Sequence, residues 1–314
     1  MSDVLVRRLE PADTWTAYAI FRRSLADLLT RQGQSWPWVE QDETEWLKWR
    51  SLFEHLEATA DEAWGAELDG QLVGYARSIR RADTRELTEF FTLPEAQGKG
   101  VGRRLLEKAF PARGVRHRSI LATSDPAALS RYLRHGMRAS TVLYAFDGRP
   151  EPPAALPAGM HARRMHEVST EDRMGIIARI DDQILGSRRD EDHAWLGTRG
   201  PGWLLMRDDS PVGYAYGGSR QGPIATLDPQ DMPAAIGVVE ADTLATSDEP
   251  LSLTVPLANT AATDYLLGRR YRLDAFTMHL LEDHPVVAAD RYILTTRPSS
   301  CRPVIGRCRA GPAV

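Results

Sequence analysis

The chain has 314 residues, and at roughly 150 residues per domain this length suits two domains. Hydrophobic residues are 42% and charged residues 26% of the total, the balance of an ordinary globular protein and far from disordered or collagen-like chains. Lys and Arg number 39 against 43 Asp and Glu, a net charge of -4, so no global positive field gathers phosphates and nucleic acid is not an expected partner. No apolar run reaches the roughly 20 residues that span a bilayer, and the first ten residues are charged where a signal peptide is apolar. A cytoplasmic protein without membrane contact is expected. The two cysteines, Cys301 and Cys308, offer neither a disulfide framework nor a zinc quartet, and no metal is expected.

Alternation over residues 4–9 predicts a strand. Two helices follow over about 11–31 and 42–60; in the second, Trp46, Trp49, Phe53 and Leu56 recur at the spacing of one helical face. Asp69-Gly70 tolerates positive φ at both turn positions and predicts a hairpin between strands at about 64–68 and 72–79. A fourth strand, about 87–93, runs into Pro94 and a glycine-rich loop that opens a helix over 101–110. A strand at about 119–123, a helix over 126–133 and two closing strands complete this half. The order β-α-α-β-β-β-α-β-α-β predicts an α/β fold with a mixed, mostly antiparallel sheet flanked by helices.

Pro150, Pro152, Pro153 and Pro157 remove donors and fix φ, which predicts a linker over 150–159. Matching segments lie on either side of it. Residues 4–9 resemble 160–165, Gly74-Tyr75-Ala76 recurs as Gly213-Tyr214-Ala215, and 132–138 resembles 265–272 when Met137 is matched to Tyr271. Preserved order with shrinking offset predicts two copies of one fold, in residues 1–149 and 160–314.

The segment that carries chemistry is Gln97-Gly98-Lys99-Gly100-Val101-Gly102-Arg103. Alternate glycines between a strand and a helix let backbone N–H groups converge, and the helix N-terminus adds about half a positive charge; together these make a phosphate cradle. Lys99, Arg103 and Arg104 add cationic side chains on or beside it. A nucleotide P-loop needs Ser or Thr after Gly-Lys, where Gly100 stands, and the dinucleotide fingerprint needs a third glycine where Arg103 or Leu105 stands. Both readings fail.

The remaining pattern, Gln97-x-x-Gly100-x-Gly102 after a strand and Pro94, resembles the acetyl-CoA loop of the GNAT (GCN5-related N-acetyltransferase) superfamily. Residues 89–95 resemble its fourth strand and 128–137 its second signature. The resemblance implies acetyl-CoA as co-substrate, with the pyrophosphate on Gln97, Gly98, Lys99, Gly100, Val101, Gly102 and Arg103. It implies Phe91 and Thr92 as backbone donors to the thioester oxygen and Asp125, where the family has Asn, beside the pantetheine arm. Glu89, or else Glu86, is implied as the base and Tyr132 as the acid that protonates the departing thiolate. The activity implied is N-acetyl transfer to a primary amine of a small molecule, directly within a ternary complex. Trp36 and Trp38, beside carboxylates, suit a cationic amine with an apolar body, or else plug the core.

The second copy has no glycine pair after Pro229, carries Asp231 there, and sets Leu266 and Arg270 where the first has Tyr132 and Gly136. It reads as degenerate and non-catalytic. The run Arg77, Arg80, Arg81, Arg85 reads as a solvated strand edge. A homodimer stays open, as does a second function: an acyl-CoA sensor or assembly module that keeps the loop without turnover.

Overall fold

In the computed structural model, which describes residues 4–34, 43–218 and 221–295, the alternating start of the chain forms strand β1 (Leu5–Arg8). It is followed by helices α1 (Thr14–Arg31) and α2 (Glu43–Ala58), strands β2 (Ala60–Leu68), β3 (Gln71–Arg81) and β4 (Thr84–Thr92), and helix α3 (Val101–Ala109). Residues 4–80 and 86–113 form one compact unit; 81–85 and 114–295 form another. Trp36, Trp38, Cys301 and Cys308 lie outside the described residues.

In the first unit the strands run in the order β1-β2-β3-β4. Asp69 (φ 51°) and Gly70 (φ 76°) make the tight turn that fixes the β2–β3 register, with Leu68 opposite Gln71. On α2, Trp49, Phe53 and Leu56 are buried, as their spacing predicts. Trp49 meets Phe21 of α1 with ring centroids 4.9 Å apart, and Phe53 meets Tyr18 edge-on at 5.6 Å, geometries that add to the area they bury. The apolar stripe of α3, Val101, Leu105 and Ala109, packs on Ala66, Val73 and Ala76. That packing anchors the helix whose N-terminus the glycine loop opens.

The second unit continues with β5 (His117–Thr123), α4 (Pro126–Arg134), β6 (Arg138–Gly148), β7 (Met160–Arg164), α5 (Thr170–Leu185), α6 (Asp190–Gly197), β8 (Gly202–Arg207), β9 (Ser210–Tyr216) and β10 (Ile224–Thr226). It closes with α7 (Met232–Thr246), β11 (Leu251–Pro256), α8 (Thr260–Gly268), β12 (Arg272–Glu282) and β13 (Tyr292–Ile293). Where the sequence predicts two closing strands there is one, β6: residues 138–146 hold no glycine or proline to break it, and Asp147-Gly148 at its end stays in the sheet, paired with Ser252 and Leu251 of β11. Residues 149–157 form neither helix nor strand, as the prolines dictate. The unit boundary nevertheless falls near Arg113, because β6 is flanked by strands from the other side of the linker: β12 and β11 both pair with it antiparallel, and β12 also pairs with β5.

A second sheet runs β13-β10-β9-β8-β7. Alternation along its strands feeds two cores: Leu205 and Ala215 face Met232, Ile236 and Val239 of α7, while Leu204 and Tyr214 face Ile177, Ile180 and Ile184 of α5. Asp181 is fully buried on the α5 side and accepts from Tyr214 Oη at 2.5 Å, His193 Nε2 at 2.8 Å and Arg189 Nε at 2.9 Å. Burial works to raise its carboxyl, but Arg189 and His193 more than offset this and hold it at about 2.

The basic run is not a solvated edge. Arg77, Arg81 and Arg85 are all buried and only Arg80 is exposed, because β3 is covered on both faces over residues 73–79. Arg81 forms a fork on Asp192, with Nε–Oδ2 at 3.0 Å and Nη2–Oδ1 at 2.6 Å.

Candidate active site

Gly98 and Gly100 adopt φ of 78° and 82°, a left-handed conformation that costs other residues about 1–2 kcal/mol. No atom lies within 4 Å of where a Cβ would stand on either, so crowding does not require glycine there; backbone direction does, and a bare surface results. Gly100 is the N-cap of α3 and supplies no side-chain cap. The first bond into that turn is Arg104 N–H to the Gly100 carbonyl, 3.2 Å, which leaves the N–H groups of Val101, Gly102 and Arg103 without a helical acceptor. Exposed Gln97, Lys99 and Arg103 surround this end; Arg103 pairs with Glu107 one turn on, at 3.2 Å. Arg104 is spent elsewhere, on the Val4 carbonyl at 2.7 Å. Open N–H groups, a helix dipole and nearby cations are what a pyrophosphate requires, so the segment fits the phosphates of an acyl-CoA.

Upstream on β4, burial alternates and separates the two candidate bases: Glu89 is buried with Arg85 and Leu87, and Glu86 lies on the other face. Glu89 Oε1 accepts the Tyr75 hydroxyl at 2.8 Å, and Oε2 accepts Arg77 Nη1 at 2.6 Å. Burial pushes the Glu89 carboxyl above its ordinary range against the pull of Arg77 and Tyr75. Tyr75 and Arg77 were not singled out from sequence as site residues. Tyr75 and Arg77 lie two apart on one strand and so share a face, but which strand lies against β3 is a fact of topology that no local pattern carries.

Phe91 packs on Phe21 and Tyr75, with centroids at 5.1 and 5.8 Å. The Thr92 carbonyl accepts from Ser24 Oγ of α1 at 3.2 Å, which ties the end of β4 to the first helix. Beside Arg77 lies a cavity of about 210 Å³ lined by Glu10, Asp13, Thr14, Glu57 and Ala63 among others. Arg77 Nε is buried without a hydrogen-bond partner. Thr14 Oγ1 donates to Glu57 Oε2 at 2.8 Å, and Glu57 adds to the upward push on Glu89.

Tyr132 and Asp125 belong to the second unit. Tyr132 sits on α4, is 5% exposed, and has its hydroxyl pushed above its ordinary range, chiefly by burial. Like any phenol it keeps its proton at neutral pH. Asp125 is the N-cap of α4, accepting from Ala127 N–H at 3.0 Å. In the second half, Asp231 ends a 3-10 turn directly before α7; it is buried and paired with Arg207. That turn has an acidic residue and no left-handed glycine, unlike residues 97–103.

Residues 23–137 match the acetyltransferase (GNAT) family. An acetyltransferase by assignment from Pyrococcus horikoshii is 16% identical with a TM-score of 0.68, covering 92% of this chain and 92% of its own. A GCN5-related N-acetyltransferase from Sphaerobacter thermophilus is 17% identical with a TM-score of 0.58, covering 91% of this chain and 98% of its own. A tandem GNAT protein from the clavulanic acid biosynthesis pathway is 11% identical with a TM-score of 0.56, covering 90% of this chain and 100% of its own. At these identities the likeness speaks for the fold. A search of curated proteins finds no significant match. Residues 23–137 thus carry a GNAT acetyltransferase domain, and the α/β fold of the chain is similar to that of a tandem GNAT protein with two GNAT-like domains. Family and fold support acyl-CoA-dependent acyl transfer in general. Among the described residues no helix is long and apolar enough to cross a membrane.

Proposed function

We propose that the protein transfers an acetyl group from acetyl-CoA to a primary amine of a small molecule, by direct attack within a ternary complex. One observation carries this reading: two left-handed glycines with empty space at their Cβ positions, at the uncapped start of α3, just after the strand that holds a buried carboxylate. In it, residues 1–149 supply the catalytic half and 160–314 a non-catalytic partner that lacks the phosphate loop.

When bound, acetyl-CoA supplies a thioester activated toward amines. Residues 97–103 take the pyrophosphate, and the N–H groups of Phe91 and Thr92 stabilise charge on the thioester oxygen. An amine of pKa near 10 is mostly cationic at neutral pH and must lose a proton before it can attack. Glu89 takes that proton; burial raises its carboxyl, which makes it a better base than an exposed glutamate, and Arg77 and Tyr75 oppose that rise by favouring the ionised form. Tyr132 gives its proton to the departing thiolate. The cavity beside Arg77, with Glu10, Asp13 and Glu57 on its wall, suits a small cationic acceptor.

Thiol release from acetyl-CoA in the presence of a panel of small primary amines tests the reading. Release above the hydrolysis background with at least one amine supports it. Tight acetyl-CoA binding with no release for any of the panel favours a sensor or assembly module.

A further inference from the structure

Three side chains of the second unit converge where β5 starts and β12 ends. His117 is the first residue of β5, and Asp283 and His284 follow the last residue of β12. Asp283 N–H donates to the Arg118 carbonyl at 3.2 Å, and Glu282 pairs with Ser119 in the ladder. These bonds fix the two backbones side by side, so the cluster is built into the sheet and does not depend on a loop.

Asp283 Oδ1 lies 3.2 Å from His117 Nδ1 and 3.0 Å from His284 Nδ1. The two imidazoles meet edge to face with centroids 5.1 Å apart, and one ligand atom from each of the three residues falls within 4.8 Å of the others. A tetrahedral ion with bonds of about 2.0–2.2 Å has ligand–ligand edges of about 3.3–3.5 Å. The two N···O separations are within a few tenths of an ångström of such edges. Two neutral imidazoles and one carboxylate are donors that a first-row divalent ion prefers over magnesium or calcium.

A second observation points the same way. His117 is 4% exposed and its Nε2 has no hydrogen-bond partner, although Glu282 Oε1 lies 3.3 Å away. In a neutral ring with its proton on Nδ1 and donated to Asp283, the Nε2 lone pair faces a carboxylate oxygen, which is repulsive; only a ring with protons on both nitrogens, or one with an ion on Nδ1, suits both carboxylates. An ion on Nδ1 reverses the tautomer and places the proton on Nε2, where Glu282 can receive it; such a carboxylate behind a ligating histidine is the usual way its ring is oriented. Glu282 is held for that role by Ser140 Oγ and by the N–H groups of Val286 and Val287, both at 3.0 Å. Arg118 holds both oxygens of Asp283, Nε to Oδ2 at 3.1 Å and backbone N–H to Oδ1 at 3.0 Å, which fixes the carboxylate with Oδ1 also turned to the histidines.

We propose that His117, Asp283 and His284 bind one divalent transition ion of the zinc type, with Glu282 fixing the His117 tautomer and the ion clamping the start of β5 to the end of β12. Histidine spacing in the sequence does not reveal it, because the buried ligand comes from another strand far earlier in the chain. The site is independent of the acetyltransferase reading.

The test is calorimetric titration of chelator-treated full-length protein with zinc chloride, with cobalt(II) absorption as a second readout and thermal melting with and without zinc. The expected result is one ion per chain, a melting temperature raised by zinc, and a d–d spectrum of tetrahedral intensity. His284 is exposed, so His284→Ala should fold; its zinc affinity should drop at least about tenfold and its melting should no longer respond. His166→Ala, at an exposed position away from the cluster, should behave as the parent. No zinc uptake by the parent protein, or uptake that His284→Ala leaves unchanged, overturns the proposal.

Discussion

Arg77 Nη1 donates to Glu89 Oε2 at 2.6 Å with both side chains buried, 2% and 6% exposed. The pair couples β3 to β4 and sets how basic the proposed base is. Removing one partner strands the other as a buried charge, at a cost of about 3–5 kcal/mol, whereas removing both at similar volume is far cheaper. Urea unfolding should therefore find Arg77→Met strongly destabilised and the double variant Arg77→Met/Glu89→Gln largely recovered. Simple addition of the two single effects would show that the pair is not coupled.

The pH profile of turnover follows from the same carboxylate. Burial raises Glu89 above its ordinary value of 4.5, and only the ionised form accepts a proton from the amine. Activity should therefore fall as pH falls through a midpoint above 4.5, and that acid limb should vanish from the residual activity of Glu89→Gln. For stability the sign is opposite: a raised carboxyl favours the fold below its unfolded value and loses that contribution as pH rises through the folded one. A kcat/KM profile over pH 4–9 for both proteins reads the limb directly.

Gly100 needs its left-handed φ and leaves open the space where a Cβ would stand. Gly100→Ala should lose about 1–2 kcal/mol from backbone strain, measured by thermal melting. A methyl group in the cradle should also weaken acetyl-CoA at least about tenfold, roughly 1.4 kcal/mol. A variant that melts lower but binds as tightly would move the phosphates away from this turn.

Tyr132 keeps its proton at neutral pH as any phenol does, and burial raises its hydroxyl further. Tyr132→Phe preserves the ring in its buried seat and removes only the donor. Turnover should drop on the order of 10²-fold while acetyl-CoA affinity, measured by calorimetry, stays within about twofold. Equal loss in both would assign Tyr132 to binding.

How much of this could be read from the sequence depends on the range of the interaction. The α2 stripe, the Asp69-Gly70 turn and the glycine loop are local, and each was legible from a few adjacent residues. The repeat was legible too, and the backbone supports its register: Met137 N–H donates to the Tyr132 carbonyl, and Tyr271 N–H to that of Leu266. Gly136 (φ 87°) has its counterpart in Arg270 (φ 64°), so the second copy keeps the turn at the expense of a strained arginine and places leucine where the tyrosine stands. Strand partners were not legible. The insertion of β12 between β5 and β6, the burial of Arg77 and Arg81, and the meeting of His117 with Asp283 all join residues distant in sequence, and period-2 patterning tells which face a side chain takes but not what it meets.

The central claim is a single acetyl-CoA site, on the loop of the first half. Calorimetric titration of the full-length protein with acetyl-CoA addresses it without knowledge of the acceptor. The account predicts one site per chain, lost or strongly weakened in Gly100→Ala. Two sites per chain would contradict the reading of the second half, and no binding would contradict the assignment of residues 97–103 as a phosphate cradle.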